Sequence, residues 1–491
     1  MLRPNFALVV ALCLGLSVLA FGQVDTAWVK SYDCPSFDYI YDHIQTEDGG
    51  FAFTGSRWAG IVGGPNGSQF AWLCRTDENG DTLWNRCFQT PFFSCGMTLF
   101  QTEDSGFLIF GYEATLDQRR NVSDVMIIRT TESGDSLWSR YYRWPEMETV
   151  TKAICTRDGS YAVAGFTSSI GNGVYDFFLL KLDENCDSLW LRTFGGTGPD
   201  KCYDVIENSD GGYLLVGSTT SIINAPTSYL AVLTDDNGDS LTSFTAYYDH
   251  WSFCCARVIE ETKDKRFILS GSMNRSEQYY NSMIWSICLN SDLESLWQRV
   301  DGNDDDGCLN YVHSSCLSSD GSVVLTGPFE LHTNGSYYLI RLTPDGNSSY
   351  ILNDGWWEST FTFSLLQTRL GEYSIAGNFD RYEDSQGFML LTTPDPNWQD
   401  VVEFDTSKQE VSLAVFPNPF NSQATFMLDG WQTSQSLSIE LFDICGRRVW
   451  ISPIQTASPL TWIPADLSAG FYIATVQLGN TRLEKRLLLL K

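Results

Sequence analysis

A short apolar strand ending in glycine recurs seven times. It closes at Gly55 ("EDGGFAFTG"), Gly111, Gly165, Gly217, Gly271, Gly327 and Gly377 ("RLGEYSIAG"). Successive glycines are 56, 54, 52, 54, 56 and 50 residues apart. Interleaved with them runs a second motif: "GDTLWNRCF" at Gly80, "GDSLWSRYY" at Gly134, "CDSLWLRTF" at Cys186, "GDSLTSFTA" at Gly238 and "LESLWQRVD" at Leu293. A degraded copy, "GNSSYILND", starts at Gly346, and an early one, "DTAWVKSY", at Asp25. Self-similarity at a fixed period of this length means a repeat architecture, because each unit buries its apolar face only by stacking on the next.

Each unit reads as four short strands, illustrated by Trp190–Phe194, Tyr203–Glu207, Tyr213–Gly217 and an apolar run such as "DFFLLKL" from Asp176 or "SYLAVL" from Ser228. These runs lack strict alternation, as expected of strands covered on both faces. Four-stranded sheets stacked radially supply that burial, and the expected fold is an all-β, seven-bladed β-propeller over residues 23–399. A β-solenoid is the alternative, although its repeats are normally shorter. Counting units from the tryptophan strand leaves closure open. Either each unit is complete, or the strand at Asp25 completes the last sheet and ties the two ends together.

The stretch "TDENGDTLW" places Asp77, Asn79 and Asp81 like the start of a calcium loop, and Asp183/Asn185/Asp187 and Asp235/Asn237/Asp239 repeat it. Each set lacks the glycine that follows in an EF-hand, and no bidentate glutamate comes at the required spacing. A tight turn is the better reading, since Asp, Asn and Gly supply positive φ and side-chain-to-backbone hydrogen bonds. The acidic run "DGNDDDG" offers Asp301 and Asp305 as separate, weak calcium candidates, and no other cofactor is indicated. The order Glu78-x-Gly80-x-Thr82-Leu83-Trp84 approaches the Asp-box of sialidase-type propellers but carries one residue too many.

The first 22 residues have one arginine (Arg3), an unbroken apolar run and Ala20-Phe21-Gly22, which is a secretory signal peptide by charge, length and cleavage chemistry. No later run is apolar enough for a membrane helix. The formal charge is −29. From Leu413 onward six basic residues face five acidic ones, about +1, so nearly all the negative charge lies in the repeats. A body this acidic repels nucleic acid and anionic lipid. Of 14 cysteines, 13 follow the signal, so oxidation after export would leave at least one unpaired. Cys74 and Cys87 are placed to face each other across a hairpin.

No nucleophile elbow, zinc-protease helix or phosphate loop occurs, and the four histidines (His43, His250, His313, His332) fall in different repeats without metal spacing. The connections after the tryptophan strands vary more. "RWPEMET", "YYDHWSFCC" and "NDGWWESTF" offer Trp144, Trp251, Trp356 and Trp357 as sugar-stacking candidates, unless those rings only fill gaps between sheets.

Residues 413–491 form a small β-sandwich of alternating strands (Ser436–Phe442, Arg448–Ile451, Gly470–Gln477) and Gly/Pro/Asn turns. Their motifs closely resemble the type A C-terminal sorting domain of the type IX secretion system of Bacteroidetes and related bacteria. The matching positions are Pro417, Asn418 and Pro419 of "FPNP"; Asp443, Gly446 and Arg447 of "LFDICGRRV"; Asp466, Leu467, Gly470 and Tyr472 of "DLSAGFY"; and Lys485 and Lys491 of the basic-apolar end. The resemblance implies passage through the periplasm to the type IX translocon as partner, then release or surface attachment. It also implies cleavage in the linker, residues 400–412, at "DTSKQE". For the repeats, the leading expectation is a binding module for a glycan, polymer or protein. A glycan-directed hydrolase on the same scaffold and a purely structural surface protein are the alternatives. A pocket holding carboxylates of raised pKa would favour the hydrolase.

Overall fold

A computed structural model describes residues 24–32, 38–58, 69–90, 93–117, 120–222, 227–248, 253–274, 282–302, 308–331, 334–355, 359–381 and 384–395 of the repeats. In the tail it describes 412–416, 424–429, 439–443, 448–452, 460–462, 467, 470–478 and 481–489. Every regular element among them is a strand. The chain divides into two compact units, Met1–Asp400 and Val401–Lys491.

In the larger unit, antiparallel four-strand groups follow one another along the chain. Asp200–Glu207, Tyr213–Thr219, Ser228–Thr234 and Ser240–Ala246 pair in that order. The third strand is buried along its whole length, as is its counterpart Asp176–Leu182, because neighbouring sheets cover both faces. The tryptophan strand is therefore the fourth strand of the sheet that precedes it, not the first strand of a new unit. A connection of a few residues joins it to the third strand, and a hairpin that short fixes its two strands as neighbours.

The same boundary gives the N-terminal strand its place. The first strand, Thr26–Tyr32, pairs antiparallel with Asp384–Thr392, with Val29 opposite Leu390. The last sheet thus takes its fourth strand from the beginning of the chain. One core cluster joins Ile40, Phe51, Phe53 and Trp72 of the first sheet to Ala376, Met389 and Leu391 of the last.

The "DENGD" segment is a turn held by its own side chains. The Asp77 carboxylate accepts backbone N–H groups from Asn79 (2.9 Å) and Asp81 (2.8 Å), and Gly80 has φ +77°. A Cβ at Gly80 would meet the indole of Trp28 at 2.8 Å, so the tryptophan of one sheet packs on the turn of the next. The arginine of the same motif completes the lock, as Arg140–Asp187 (2.6 Å) and Arg192–Asp239 (3.0 Å) illustrate. These acids are occupied by backbone donors and arginines.

The repeat glycine is required first by its own sheet. A Cβ at Gly217 would lie 1.9 Å from the carbonyl oxygen of Lys201, in the same sheet. The other six strand glycines each face a first-strand carbonyl in the same way, at 1.5–2.0 Å. There the first strand carries a bulge; residue pairing skips Tyr203, between Cys202/Gly217 and Asp204/Val216.

Cys74, Cys95, Cys155, Cys186, Cys202, Cys254, Cys255, Cys288 and Cys316 are free thiols. Cys74 pairs with Asn85 and Cys87 with Trp72, so the expected cross-hairpin pair is out of register.

The tail unit contains a three-stranded sheet, Ser412–Phe416, Ala424–Asp429 and Leu460–Trp462, and a four-stranded one. The latter runs Arg448–Ile451, Ile439–Asp443, Gly470–Leu478, Thr481–Leu489. Phe426 of the first stacks on Trp450 of the second, 6.2 Å between ring centres.

Candidate functional site

A bulge turns one extra side chain out of the strand plane. The residues at this position are Tyr41, Met97, Thr151, Tyr203, Arg257 and Phe363, each at the bulge of a first strand, and His313, in the break between Cys308–Asn310 and Ser314–Leu317. All seven line a single cavity of about 550 Å³. Several of them touch. His313 stacks on Phe363 (5.2 Å, 3° between planes), Phe363 meets Tyr41 at 5.2 Å, and the Arg257 guanidinium lies 4.1 Å from the Tyr203 ring centre. An arc of aromatic faces and one cation results, the equipment for stacking on an apolar or sugar face.

The residue after each bulge serves the neighbouring sheet. Asp42 accepts the Leu99 N–H (2.9 Å), Thr98 that of Ala153 (3.0 Å), and Asp204 that of Ile259 (3.0 Å). Ser314 accepts from Leu365 (3.1 Å), and Ser364 accepts from His43 (3.3 Å), which carries the pattern from the last sheet to the first. Two junctions lack this link. Lys152 has no acceptor, and Val258 has no polar atom. At the Val258 junction Glu260 instead accepts the Ser315 hydroxyl (2.8 Å).

Lys152 is thereby left facing the cavity with Asp42, Asp204 and Glu260. Burial would depress its ammonium, but those three carboxylates outweigh burial and hold its pKa above the ordinary lysine value. Burial raises Asp42 and Asp204 against the opposing pull of Lys152, and pushes Glu260 up to about 7. Desolvation penalises the ionised form, and one lysine among three acids cannot compensate them all. His43 and His313 are depressed to about 3 and about 4, chiefly by burial, so both are neutral. His43 bridges the hydroxyls of Ser364 and Ser374, each at 2.8 Å. Among the described residues no group of three or more His, Cys, Asp or Glu side chains is placed to hold a metal.

The aromatic candidates from the connections are not brought together here. Trp144 is half-buried, packed on the core and stacked on Tyr142 at 6.3 Å. Trp251, Trp356 and Trp357 lie outside the described residues, as does Asp305. Asp301 ends a strand, where Arg299 (2.9 Å) and the Ser348 hydroxyl (2.7 Å) engage it. The cavity residues form no recognisable motif because their chemistry changes from repeat to repeat, although their spacing is constant. Bulge residues stand 14 positions before the strand glycine, and the residues after them stand 13 before it.

In the tail, Asp443 ends a strand opposite Tyr472, which is buried, and Gly470 opens the same strand as Tyr472. Lys485 pairs with Ala474, and burial lowers its pKa. Leu467 is half-buried. Pro417, Asn418, Pro419, Gly446, Arg447, Asp466 and Lys491 lie outside the described residues. Residues 414–490 match the family described as "Secretion system C-terminal sorting domain". The tail is a type IX sorting domain. The protein is therefore exported through the periplasm to the outer cell surface or the medium, with the type IX machinery as its partner. No helix is long and apolar enough to cross a membrane among the described residues.

No curated protein matches the sorting-domain protein significantly. Among solved structures it is similar to the polysaccharide lyase Uly1, at 10% identity and a TM-score of 0.46, over 74% of this chain and 90% of that one. It is also similar to a eukaryotic initiation factor, at 11% identity and a TM-score of 0.33, over 88% and 91% of the two chains.

Proposed function

We propose that residues 23–399 form a closed seven-bladed β-propeller, exported as cargo by the 413–491 β-sandwich after an N-terminal signal, residues 1–22, and joined to it by the 400–412 linker. We further propose that its central cavity binds a neutral, hydroxyl-rich ligand, a glycan or a segment of one. Closure is supported by the N-terminal strand in the last sheet and by the Ser364–His43 link, which repeats the contact made between earlier sheets. Binding rests on one observation above all: the seven side chains of the bulge column line one cavity together with Asp42, Asp204 and Glu260. Aromatic faces suit the apolar faces of sugar rings, and carboxylates accept hydroxyl hydrogen bonds. About 550 Å³ lies within the range of small-ligand sites and is too confined for a folded partner. Trp251, Trp356 and Trp357 are proposed as an outer contact for a longer polymer.

The test is a glycan and polysaccharide array on the secreted protein, followed by calorimetry on each hit with Phe363→Ala and Tyr203→Ala. Loss of at least tenfold in affinity in both variants supports the cavity. Unchanged affinity in both places the ligand elsewhere and sinks the reading. A glycan-directed hydrolase is the second reading, favoured by Glu260, which holds its proton to about 7 and suits a general acid. Reducing-end release by the wild type that disappears in Glu260→Gln would select it over binding alone.

A further inference from the structure

Away from the cavity, two carboxylates meet without a counter-charge. Asp176 begins a third strand and Asp200 begins the first strand of the next sheet; both are buried, at 1% and 0% exposure. Asp176 Oδ2 accepts the Gly173 N–H (2.8 Å), while Asp200 Oδ2 accepts the Gly196 N–H (2.6 Å) and the Ser221 hydroxyl (2.8 Å). The other oxygen of each, Oδ1, is buried and has no hydrogen-bond partner. The two groups converge on Gly195. A Cβ there would lie 2.0 Å from Asp176 Oδ1 and 2.6 Å from Asp200 Oδ2, so those oxygens are no farther apart than the sum of these distances. Two glycine-rich loops wrap them, "SSIGNG" before Asp176 and "GGTGP" before Asp200, and the carbonyls of Gly196 and Gly198 press against Gly173.

The preceding sheet junction shows what is missing. There Asp124 holds the place of Asp176, each one residue beyond an isolated bridge, Ser123↔Met147 and Tyr175↔Pro199. Arg143 supplies a counter-charge to Asp124 there, 3.5 Å away, and to Glu113 at 3.4 Å, while Glu148, in the place of Asp200, accepts the Thr167 hydroxyl (2.9 Å). The Asp200 connection has no arginine. Its neighbouring lysine, Lys201, lies instead over the rings of Phe166 (5.2 Å) and Tyr175 (4.9 Å). Buried carboxylates are found paired or coordinating a cation, because an unpaired buried charge is prohibitively expensive.

We propose that Asp176 and Asp200 are the anionic ligands of a divalent-cation site of calcium type. Backbone carbonyls of the two glycine-rich loops and water complete the six to eight oxygens that calcium takes. Irregular glycine-rich loops favour calcium over magnesium, which demands near-ideal octahedral geometry. The cation supplies the charge that Arg143 supplies one junction earlier.

The experiment is calcium titration by calorimetry into the secreted, chelator-stripped protein, with melting curves in calcium, magnesium and chelator. Wild type is expected to bind calcium saturably and to melt higher in it than in chelator or magnesium. Asp176→Asn and Asp200→Asn should each weaken binding at least tenfold and remove the melting shift, while Asp301→Asn keeps both. Calcium binding that persists in both variants, or that disappears in Asp301→Asn, assigns it elsewhere and overturns the proposal. Absence of saturable heat with the wild type overturns it without any variant.

Discussion

Glu260 is a residue whose neutralisation should stabilise the protein it serves. Its pKa is raised from an ordinary 4.5 to about 7 by burial, with Asp204 adding to the rise and Ser315 and Lys152 opposing it. The folded state therefore holds the proton more tightly than the unfolded chain. Below the unfolded value both states are protonated and nothing is lost. As pH rises from there toward 7 the unfolded chain ionises first, and stability falls; above 7 the loss is complete. One pKa unit corresponds to about 1.4 kcal/mol, so integration between pH 5 and pH 8 gives a loss of about 2.5 kcal/mol from this group. Glu260→Gln removes the ionisation and keeps an oxygen for the Ser315 hydroxyl. Urea denaturation of both proteins at pH 5 and pH 8 isolates the effect as a difference of differences, which cancels the histidines. Glu260→Gln should gain about 2.5 kcal/mol relative to wild type on going from pH 5 to pH 8. A gap that does not change with pH would mean that Glu260 is not desolvated, and the account of the cavity would fail with it.

Three further outcomes are expected. Gly217→Ala should cost about 3 kcal/mol in denaturant titration, because its Cβ meets a backbone carbonyl that cannot retreat, whereas Gly211→Ala, in open space at φ +94°, should cost about 1 kcal/mol. Arg341→Met should cost about 3–5 kcal/mol by the same assay, since Arg341 is fully buried against Asp320 and Asp395 and its loss strands the buried Asp395. Removing residues 414–490 should leave the protein in the periplasm, read by fractionation and blotting; surface display without them would break the assignment of the export route.

The repeat period, the strands and the turn were open to sequence reasoning, because each repeats the same chemistry at a fixed spacing. Asp77 and Gly80 announce their turn wherever they recur, and the tail motifs spell out their own family. Which strand begins a sheet was not legible from motif order. It depended on the short hairpin before each tryptophan, which ties that strand backward. The cavity stayed hidden for the opposite reason to the turns. Tyr41, Met97, Thr151, Arg257 and His313 have no shared chemistry, and only alignment on the strand glycine brings the bulge column into view. The thiols at Cys74 and Cys87 show the limit of spacing alone, since a register offset of two residues undoes an apparent facing pair.

The side chains just after the bulges divide the molecule's freedom to change. At five junctions they are tethers, and an oxygen lost from Asp42, Thr98, Asp204, Ser314 or Ser364 leaves a neighbour's N–H without its acceptor. At Val258 no such duty exists, whereas Lys152 is held by the charges of Asp42, Asp204 and Glu260. Val258 is where a lineage could exchange one ligand for another by a single substitution while the inter-sheet tethers stay fixed. Sequence drift in related chains should therefore concentrate at that position and spare the tethers.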